Sequence, residues 1–280
     1  MLNLQINNQI GQIGLGGLAA LLIAACLASV CAYGAPPAQR PPLIHPQSIE
    51  DPDDKALVNF HTALTNHAAD EATPLTRIMH YGDSHIVSEW FAGPLRQYWL
   101  QDFGVSYENF GINGARASRP LQWDWALLAE QFALRPPALI VIGYGTNEAG
   151  VADLNLKTYQ QTFTELLQRF HEAAPNASLL VLAPPDRAAW RNGRWQSLAT
   201  LPGLIETQRH AAFAQGAAFW NLYEAMGGAG SIHRWRAQQQ PLAQADHVHL
   251  TAAGYRLVAQ TLYGALRRSY DQHIVNKIWQ

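Results

Sequence analysis

Thiols are almost missing from this 280-residue chain: its two cysteines, Cys26 and Cys31, both stand inside an N-terminal apolar run. If that run is removed on maturation, no disulfide, free thiol or cysteine metal site remains, and stability must come from a hydrophobic core. Charge is scarce as well. Asp, Glu, Lys and Arg make up 14% of the residues, and the formal net charge is −2. That balance lacks the basic footprint of a nucleic-acid binder or of a protein drawn to acidic membranes. With 48% apolar residues, the composition also excludes an intrinsically disordered chain. There is no internal repeat, no low-complexity tract and no phosphate-cradling glycine loop with its lysine. No His, Cys, Asp and Glu cluster has metal spacing: His247-Val248-His249 offers two imidazoles but no third ligand. No metal and no cofactor are expected.

Charge is absent altogether before Arg40, and Ile13 to Ala35 is a nearly continuous run of apolar and small residues. It reads as a secretory signal or an N-terminal membrane anchor over residues 1–35. Ala32 and Gly34 suit cleavage before Ala35, whereas Ile23-Ala24-Ala25-Cys26 fits a lipobox that would place a lipid on Cys26. All of these place the remainder in the periplasm or on the cell envelope. Residues 36–50, with Pro36, Pro37, Pro41, Pro42 and Pro46, read as an extended linker. Residues 51–272 are expected to form one domain and residues 273–280 a tail.

What is present from Pro74 onward is alternation. Strand patterns fall at Leu75–His80, Val105–Phe110, Ala138–Ile142, Ser178–Ala183 and Ala217–Leu222. Helical patterns fall at Ser88–Asp102, Leu121–Leu134, Lys157–Ala173, Leu204–Gln215 and Ala252–Arg268, with an earlier one at Asp51–Thr65. Strands separated by helices predict an α/β fold with a central parallel sheet covered on both faces. The solid apolar runs Leu139-Ile140-Val141-Ile142 and Leu179-Leu180-Val181-Leu182 suit strands buried on both sides.

In such a sheet, ligands bind beyond the carboxyl ends of the strands. Four short blocks fall there. Tyr81-Gly82-Asp83-Ser84-His85 follows the first strand and Gly111-Ile112-Asn113-Gly114-Ala115 the second. Gly143-Tyr144-Gly145-Thr146-Asn147-Glu148 follows the third, and Asp246-His247-Val248-His249 precedes the last helix. A serine at a strand-to-helix turn presents its hydroxyl to the crevice, yet it needs an adjacent base to act as a nucleophile. His249 is the candidate base, and Asp246, three residues earlier, can hold the other imidazole nitrogen if the segment is a helical turn. His247, one residue from Asp246, points elsewhere. The Ser84 amide, the Gly114 amide and the Asn147 side-chain NH2 are candidate oxyanion donors. Asp83 is expected to brace the turn, and His80 to pack behind the site.

Four such blocks in this order resemble the SGNH/GDSL hydrolase family over roughly residues 74 to 268. The resemblance implies a flavodoxin-like three-layer α/β/α sandwich with a central five-stranded parallel sheet. It implies a serine esterase with Ser84, His249 and Asp246 as the triad. Gly-Asp-Ser-His, with His85 in place of the usual leucine, is similar to the form in exported bacterial esterases that remove O-acetyl groups from peptidoglycan and other polysaccharides. Those relatives often carry an inserted carbohydrate-binding domain. The stretch of about thirty residues from Ser84 to Gly114 leaves no room for one there.

His85 is either a substrate contact or a helix-start residue. Asp186, in Pro184-Pro185-Asp186-Arg187 after the fourth strand, either lines the cleft or sits in a rigid turn. Trp123 and Trp125 form an aromatic wall for a sugar or acyl chain, or pack into the core. The expected partner is an acylated polysaccharide or a lipid, with no nucleic acid and with membrane association only through the N-terminus. The same triad would serve an O-acetylesterase, a lipase or lysophospholipase, or an acyltransferase passing acetyl to a polysaccharide. A non-catalytic envelope scaffold would not require all four blocks.

Overall fold

The computed structural model describes residues 44–69 and 76–279, which belong to one unit, Leu43–Gln280. The expected signal or anchor, Cys26 and the first part of the proline-rich linker lie outside the described residues.

A strand that is apolar at every position needs cover on both faces. The run at 139–142 becomes such a strand. The strands are β1 (Arg77–Gly82), β2 (Ser106–Gly111), β3 (Leu139–Gly143), β4 (Ser178–Leu182), β5 (Ala188–Arg191), β6 (Arg194–Ser197) and β7 (Ala218–Trp220). Five of them form one sheet in the order β2-β1-β3-β4-β7, with every neighbouring pair parallel. The longer helices are α1 (Val58–Ala69), α3 (Glu89–Phe103), α4 (Trp125–Leu134), α6 (Leu156–Ala173), α7 (Thr200–Ala214) and α10 (Ala252–Ile278). Four short α-helices also occur among the described residues: α2 (Ser84–Val87), α5 (Thr146–Ala149), α8 (Leu222–Ala225) and α9 (Ser231–Arg236). This is a three-layer α/β/α arrangement.

Side chains alternate across the sheet, and two cores result. Ile78, Leu139, Val141, Leu180 and Trp220 face α1, α3 and α10. Met79, Tyr81, Ile140, Ile142, Val181 and Phe219 face α4, α6 and α7. Helix α6 shows how sequence sets this packing. Asn155 caps it by accepting from the Thr158 amide at 3.0 Å, and Tyr159, Phe163, Leu166, Leu167 and Phe170 are buried along one stripe.

Several boundaries differ from the sequence pattern, each for a local reason. The first helix begins at Val58 because the Asp51 carboxylate takes the Lys55 and Leu57 amides and closes a separate turn. A short helix, α2, precedes the expected one: Ser88 is extended and separates it from α3, which begins one residue after the expected start. The segment 44–50 lies along the edge of β7, where Glu50 exchanges both backbone bonds with Phe219, satisfying groups an edge strand leaves open. Helix α10 runs ten residues past Arg268 to Ile278. Among the described residues no helix is long and apolar enough to cross a membrane. An antiparallel hairpin, β5–β6, stands outside the sheet.

Phe163 is fully buried under the sheet, so Phe163→Ala removes a ring that the surroundings cannot refill. Urea unfolding should show a loss of about 3–5 kcal/mol; a loss under about 1 kcal/mol would contradict this packing.

Candidate active site

Gly82, Gly111 and Gly143 end β1, β2 and β3 and stand in one register row. A Cβ on Gly82 would strike the Gly143 carbonyl and Ile86, and one on Gly111 would strike the backbone of Val87. The bare row lets α2 lie directly on the carboxyl end of the sheet. Asp83 caps that helix by accepting from the His85 amide at 3.0 Å, and its own amide donates to the Gly143 carbonyl at 3.2 Å. Ser84 is thereby held as the first helical residue, half-exposed.

The Ser84 Oγ lies 2.9 Å from His249 Nε2. On the far side of that ring, His249 Nδ1 lies 2.7 Å from Asp246 Oδ2. Asp246 Oδ1 accepts from the amides of Val248 and His249, each at 3.0 Å. Burial alone would raise the Asp246 carboxyl, but the bonds from the His249 ring and these two amides outweigh it and hold the acid below its ordinary value. An ionised Asp246 fixes the proton on Nδ1 and leaves Nε2 free to accept from the serine hydroxyl.

The spacing of three between Asp246 and His249 does not arise from a helix, as the sequence pattern had suggested. The two residues meet in a turn where His247 takes a left-handed backbone, with φ of 54°. His247 is buried and held from several sides. Trp195 stacks on it at 3.8 Å, His233 lies parallel at 5.5 Å, and its carbonyl accepts from the Ala188 amide at 2.9 Å.

The glycine block is tied to the same edge. The Ile112 amide donates to the Gly82 carbonyl at 3.0 Å, and Gly114 follows with φ of 70°, a conformation that favours glycine. Asn147, in α5, donates from Nδ2 to the Ala115 carbonyl at 2.8 Å. The neighbouring Glu148 accepts from the Ala117 amide at 2.6 Å. Among the described residues neither the Ser84 amide nor the Gly114 amide donates to a protein acceptor. A second N–H of Asn147 is also left without a protein acceptor. Such an assembly can activate a hydroxyl, hold a carbonyl oxygen as it gains charge, and return a proton to a leaving group.

Two residues read as either cleft-facing or structural, Asp186 and His85, are both enclosed. Asp186 is 0% exposed; its Oδ2 accepts from Ser197 Oγ at 2.9 Å and the Ile232 amide at 3.0 Å, joining β6 to α9. His85 is buried, with the Tyr255 hydroxyl 3.1 Å from its Nδ1 and its ring 5.2 Å from that of His249. Burial lowers its pKa to about 3, so it is a neutral support beneath His249. A strand-end position fixes where the backbone goes, not which way the side chain turns. Trp123 packs on Tyr81 at 5.6 Å and lines a groove of about 620 Å³ between α4 and β2. Trp125 donates to the Pro120 carbonyl and sets its edge against Phe170. His80 is buried behind the site, its Nδ1 2.5 Å from the Tyr107 hydroxyl.

Burial pushes the Asp83 carboxyl up to about 7, against the bonds it accepts from the His85 amide and Thr146. Because this value is raised above that of the unfolded chain, folding takes up a proton here. The stability that Asp83 contributes is full in acid and is lost as pH rises through about 7. Asp83→Asn keeps the accepting oxygen and removes the titration. Between about pH 5 and about pH 8, the wild type should lose roughly 1–4 kcal/mol relative to Asp83→Asn in chemical denaturation. Parallel pH curves for the two proteins would contradict this account.

No curated protein matches the chain by sequence. Solved structures match its fold at low identity. A peptidoglycan O-acetylesterase superposes with a TM-score of 0.70 at 16% identity, covering 76% of this chain and 96% of that one. A two-domain esterase active on acetylated mannans gives 0.56 at 15% identity, covering 80% of this chain and 55% of that one. A mutant of an acetyl-xylooligosaccharide esterase from Geobacillus stearmophilus gives 0.50 at 16%, covering 67% and 92%. The sequence model of the GDSL-like lipase/acylhydrolase family matches residues 78–257. The chain belongs to that SGNH/GDSL family and is a carboxylic-ester hydrolase.

Proposed function

We propose that this protein is an exported serine esterase that removes O-acyl groups, chiefly acetyl, from a cell-envelope or secreted polysaccharide. The observation that carries the chemistry is the unbroken line from Ser84 Oγ to His249 Nε2 at 2.9 Å and from His249 Nδ1 to Asp246 at 2.7 Å. Ser84 attacks the ester carbonyl while His249 takes its proton. Asp246 stabilises the imidazolium. The Ser84 and Gly114 amides and the free N–H of Asn147 bind the oxyanion. His249 then protonates the departing sugar oxygen. Water, activated by the same imidazole, cleaves the acyl-enzyme and releases the acid.

A polysaccharide substrate is supported by the neighbours, which act on peptidoglycan, mannans and xylooligosaccharides. Export is supported by the apolar run before Pro36 and the prolines after it. A cleaved signal, a lipid on Cys26 or a retained anchor would each deliver the domain outside the cytoplasm.

One feature favours a second reading. The groove of about 620 Å³ is lined by Met79, Tyr81, Phe110, Ile112, Trp123 and Phe132, with Arg77, Asn109, Gln131 and Arg135 also in its wall. Its end at Ile112 lies in the glycine block, and the apolar part of its wall suits the acyl chain of a lipid ester.

Ser84→Ala and His249→Ala should each lower turnover of 4-nitrophenyl acetate by at least about 10⁴-fold. Asn147→Ala should lower kcat by about 10²–10³-fold. A fluorophosphonate probe should add its mass to the wild type and not to Ser84→Ala; labelling of both would remove Ser84 from its assigned role. Nitrophenyl acetate should also be cleaved faster than esters of eight or more carbons. The reverse order would transfer the assignment to the lipid reading.

A further inference from the structure

Charge is distributed unevenly around the Ser84–His249 contact. Between Asp186 and Glu206 the chain carries Arg187, Arg191 and Arg194 and no carboxylate. Between Glu224 and Asp246 it carries Arg234 and Arg236, again with no carboxylate. The fold brings both segments to the loop that holds Asp246 and His249. The Ala188 amide donates to the His247 carbonyl at 2.9 Å, and the His233 ring lies parallel to that of His247 at 5.5 Å. A chain with a net charge of −2 therefore presents one basic flank beside its site.

Among the described residues six arginines elsewhere find acids, while Arg116, Arg119, Arg256 and Arg268 do not. Arg77 meets Glu108, Arg96 meets Glu89, Arg209 meets Glu50, and Arg267 meets Asp102 and Asp271. On this flank, among the described residues, none is in an ion pair. Arg187 donates to the Thr146 carbonyl at 2.7 Å, and Arg234 to the Gly227 carbonyl at 2.8 Å. Two carboxylates beside the flank are engaged, Asp246 by His249 and two amides and Asp186 by Ser197 and Ile232; the exposed Glu224, which like Arg234 neighbours Tyr223, is in no ion pair among the described residues. Arg191 and Arg194 face each other across the Asn192-Gly193 turn and are exposed.

The same hairpin carries an indole in solvent. Trp190 is 61% exposed, yet its position is fixed. It meets Trp195 edge-on at 5.6 Å, and Trp195 stacks on His247 at 3.8 Å. Two ring contacts thus connect Trp190 to the loop of the acid and base. Arg191 and Arg194 leave the ribbon at its tip, on the face opposite Trp190 and Trp195. An exposed indole can stack on one pyranose ring while guanidinium groups at the tip bind the acid group of a neighbouring sugar.

We propose that the hairpin β5–β6 is a glycan-binding arm, with Trp190 as the stacking residue and Arg191 and Arg194 as cation partners. Its ligand class is an anionic, uronate-bearing polysaccharide. This rests on the esterase reading of Ser84 and narrows its substrate to an acidic, O-acylated glycan. Arg234 and Arg236 extend the attraction along the flank and steer an anionic chain toward Ser84.

The test uses the full-length Ser84→Ala protein, so that hydrolysis does not intervene, with polygalacturonate and neutral xylan in affinity electrophoresis and titration calorimetry. Polygalacturonate should bind at low salt, more tightly than xylan, and be released at about 0.5 M NaCl. Trp190→Ala, and separately Arg191→Gln with Arg194→Gln, should weaken that binding by about tenfold, with circular dichroism unchanged. Trp190→Phe should restore most of the loss from Trp190→Ala. Equal binding of the two glycans, no binding of polygalacturonate, or full retention by both sets of variants would overturn the proposal. Nitrophenyl acetate hydrolysis by the Ser84 protein separates the two ideas. An active enzyme indifferent to polygalacturonate loses the arm and keeps the esterase. An inactive protein that binds it through Trp190 keeps the arm and loses the esterase.

Discussion

Everything at the site depends on how closely α2 approaches the end of the sheet. Three strand-ending glycines in one row leave no side chains between the Ser84 turn and the strands beneath it. A methyl group at Gly111 would push Val87 away, and one at Gly82 would separate β1 from the Gly143 carbonyl. Either displacement would carry the Ser84 oxygen off the His249 nitrogen, whose hydrogen bond tolerates only a few tenths of an ångström. The approach is then secured by backbone bonds from Asp83 to Gly143 and from Ile112 to Gly82. A parallel sheet supplies these strand ends at no special cost, because every strand delivers its loop to the same edge.

Behind this row lies an unusual density of buried polar groups. Asp83, His85 and His80 are all enclosed, and each keeps an atom with no protein partner. Burial drives them toward their neutral forms: the acid up to about 7, the two imidazoles down to about 3. Full charges so close to the serine would compete for the field that the oxyanion donors create. Two neutral imidazoles and an Asp83 carboxyl that is partly protonated near neutral pH hold the turn by hydrogen bonds, and Asp246 is the ionised partner of His249. The arrangement costs stability, as buried polar atoms do, and the cost is concentrated where positions must be held most narrowly.

The layers were legible from the chain alone because burial on both faces leaves a plain signature. Leu139 to Ile142 and Leu179 to Leu182 suit central strands, and α6 shows its stripe at Tyr159, Phe163 and Phe170. The meeting of Ser84, His249 and Asp246 was legible because strand-end blocks in a parallel sheet converge by topology. What stayed hidden was side-chain direction. Asp186, past the end of β4, and His85, in α2 past the end of β1, stand where a cleft residue would, yet both point inward to meet backbone and hydroxyl groups. The hairpin had a local signal in Trp190-Arg191-Asn192-Gly193-Arg194-Trp195, since Asn-Gly favours the tight turn that joins antiparallel strands. A search for strands separated by helices passes over it.

The left-handed His247 shows how one local strain is supported by distant parts of the chain. A non-glycine residue with φ of 54° is uncommon, although histidine tolerates it better than most. Here the conformation lets Asp246 turn back on the amides of Val248 and His249 while its other oxygen meets the imidazole. Nothing within residues 246–249 compels that geometry; Trp195, His233 and the Ala188 amide hold it in place. The hairpin is therefore a structural support of the acid–base loop before it is anything else. That double position gives the proposed arm its consequence. A glycan seated on Trp190 rests on the same stacked rings that orient the base, so binding and the approach of an ester to Ser84 share one rigid unit. An arm on an independent loop would have to be ordered separately against the site, at an entropic cost that this stack has already met in folding.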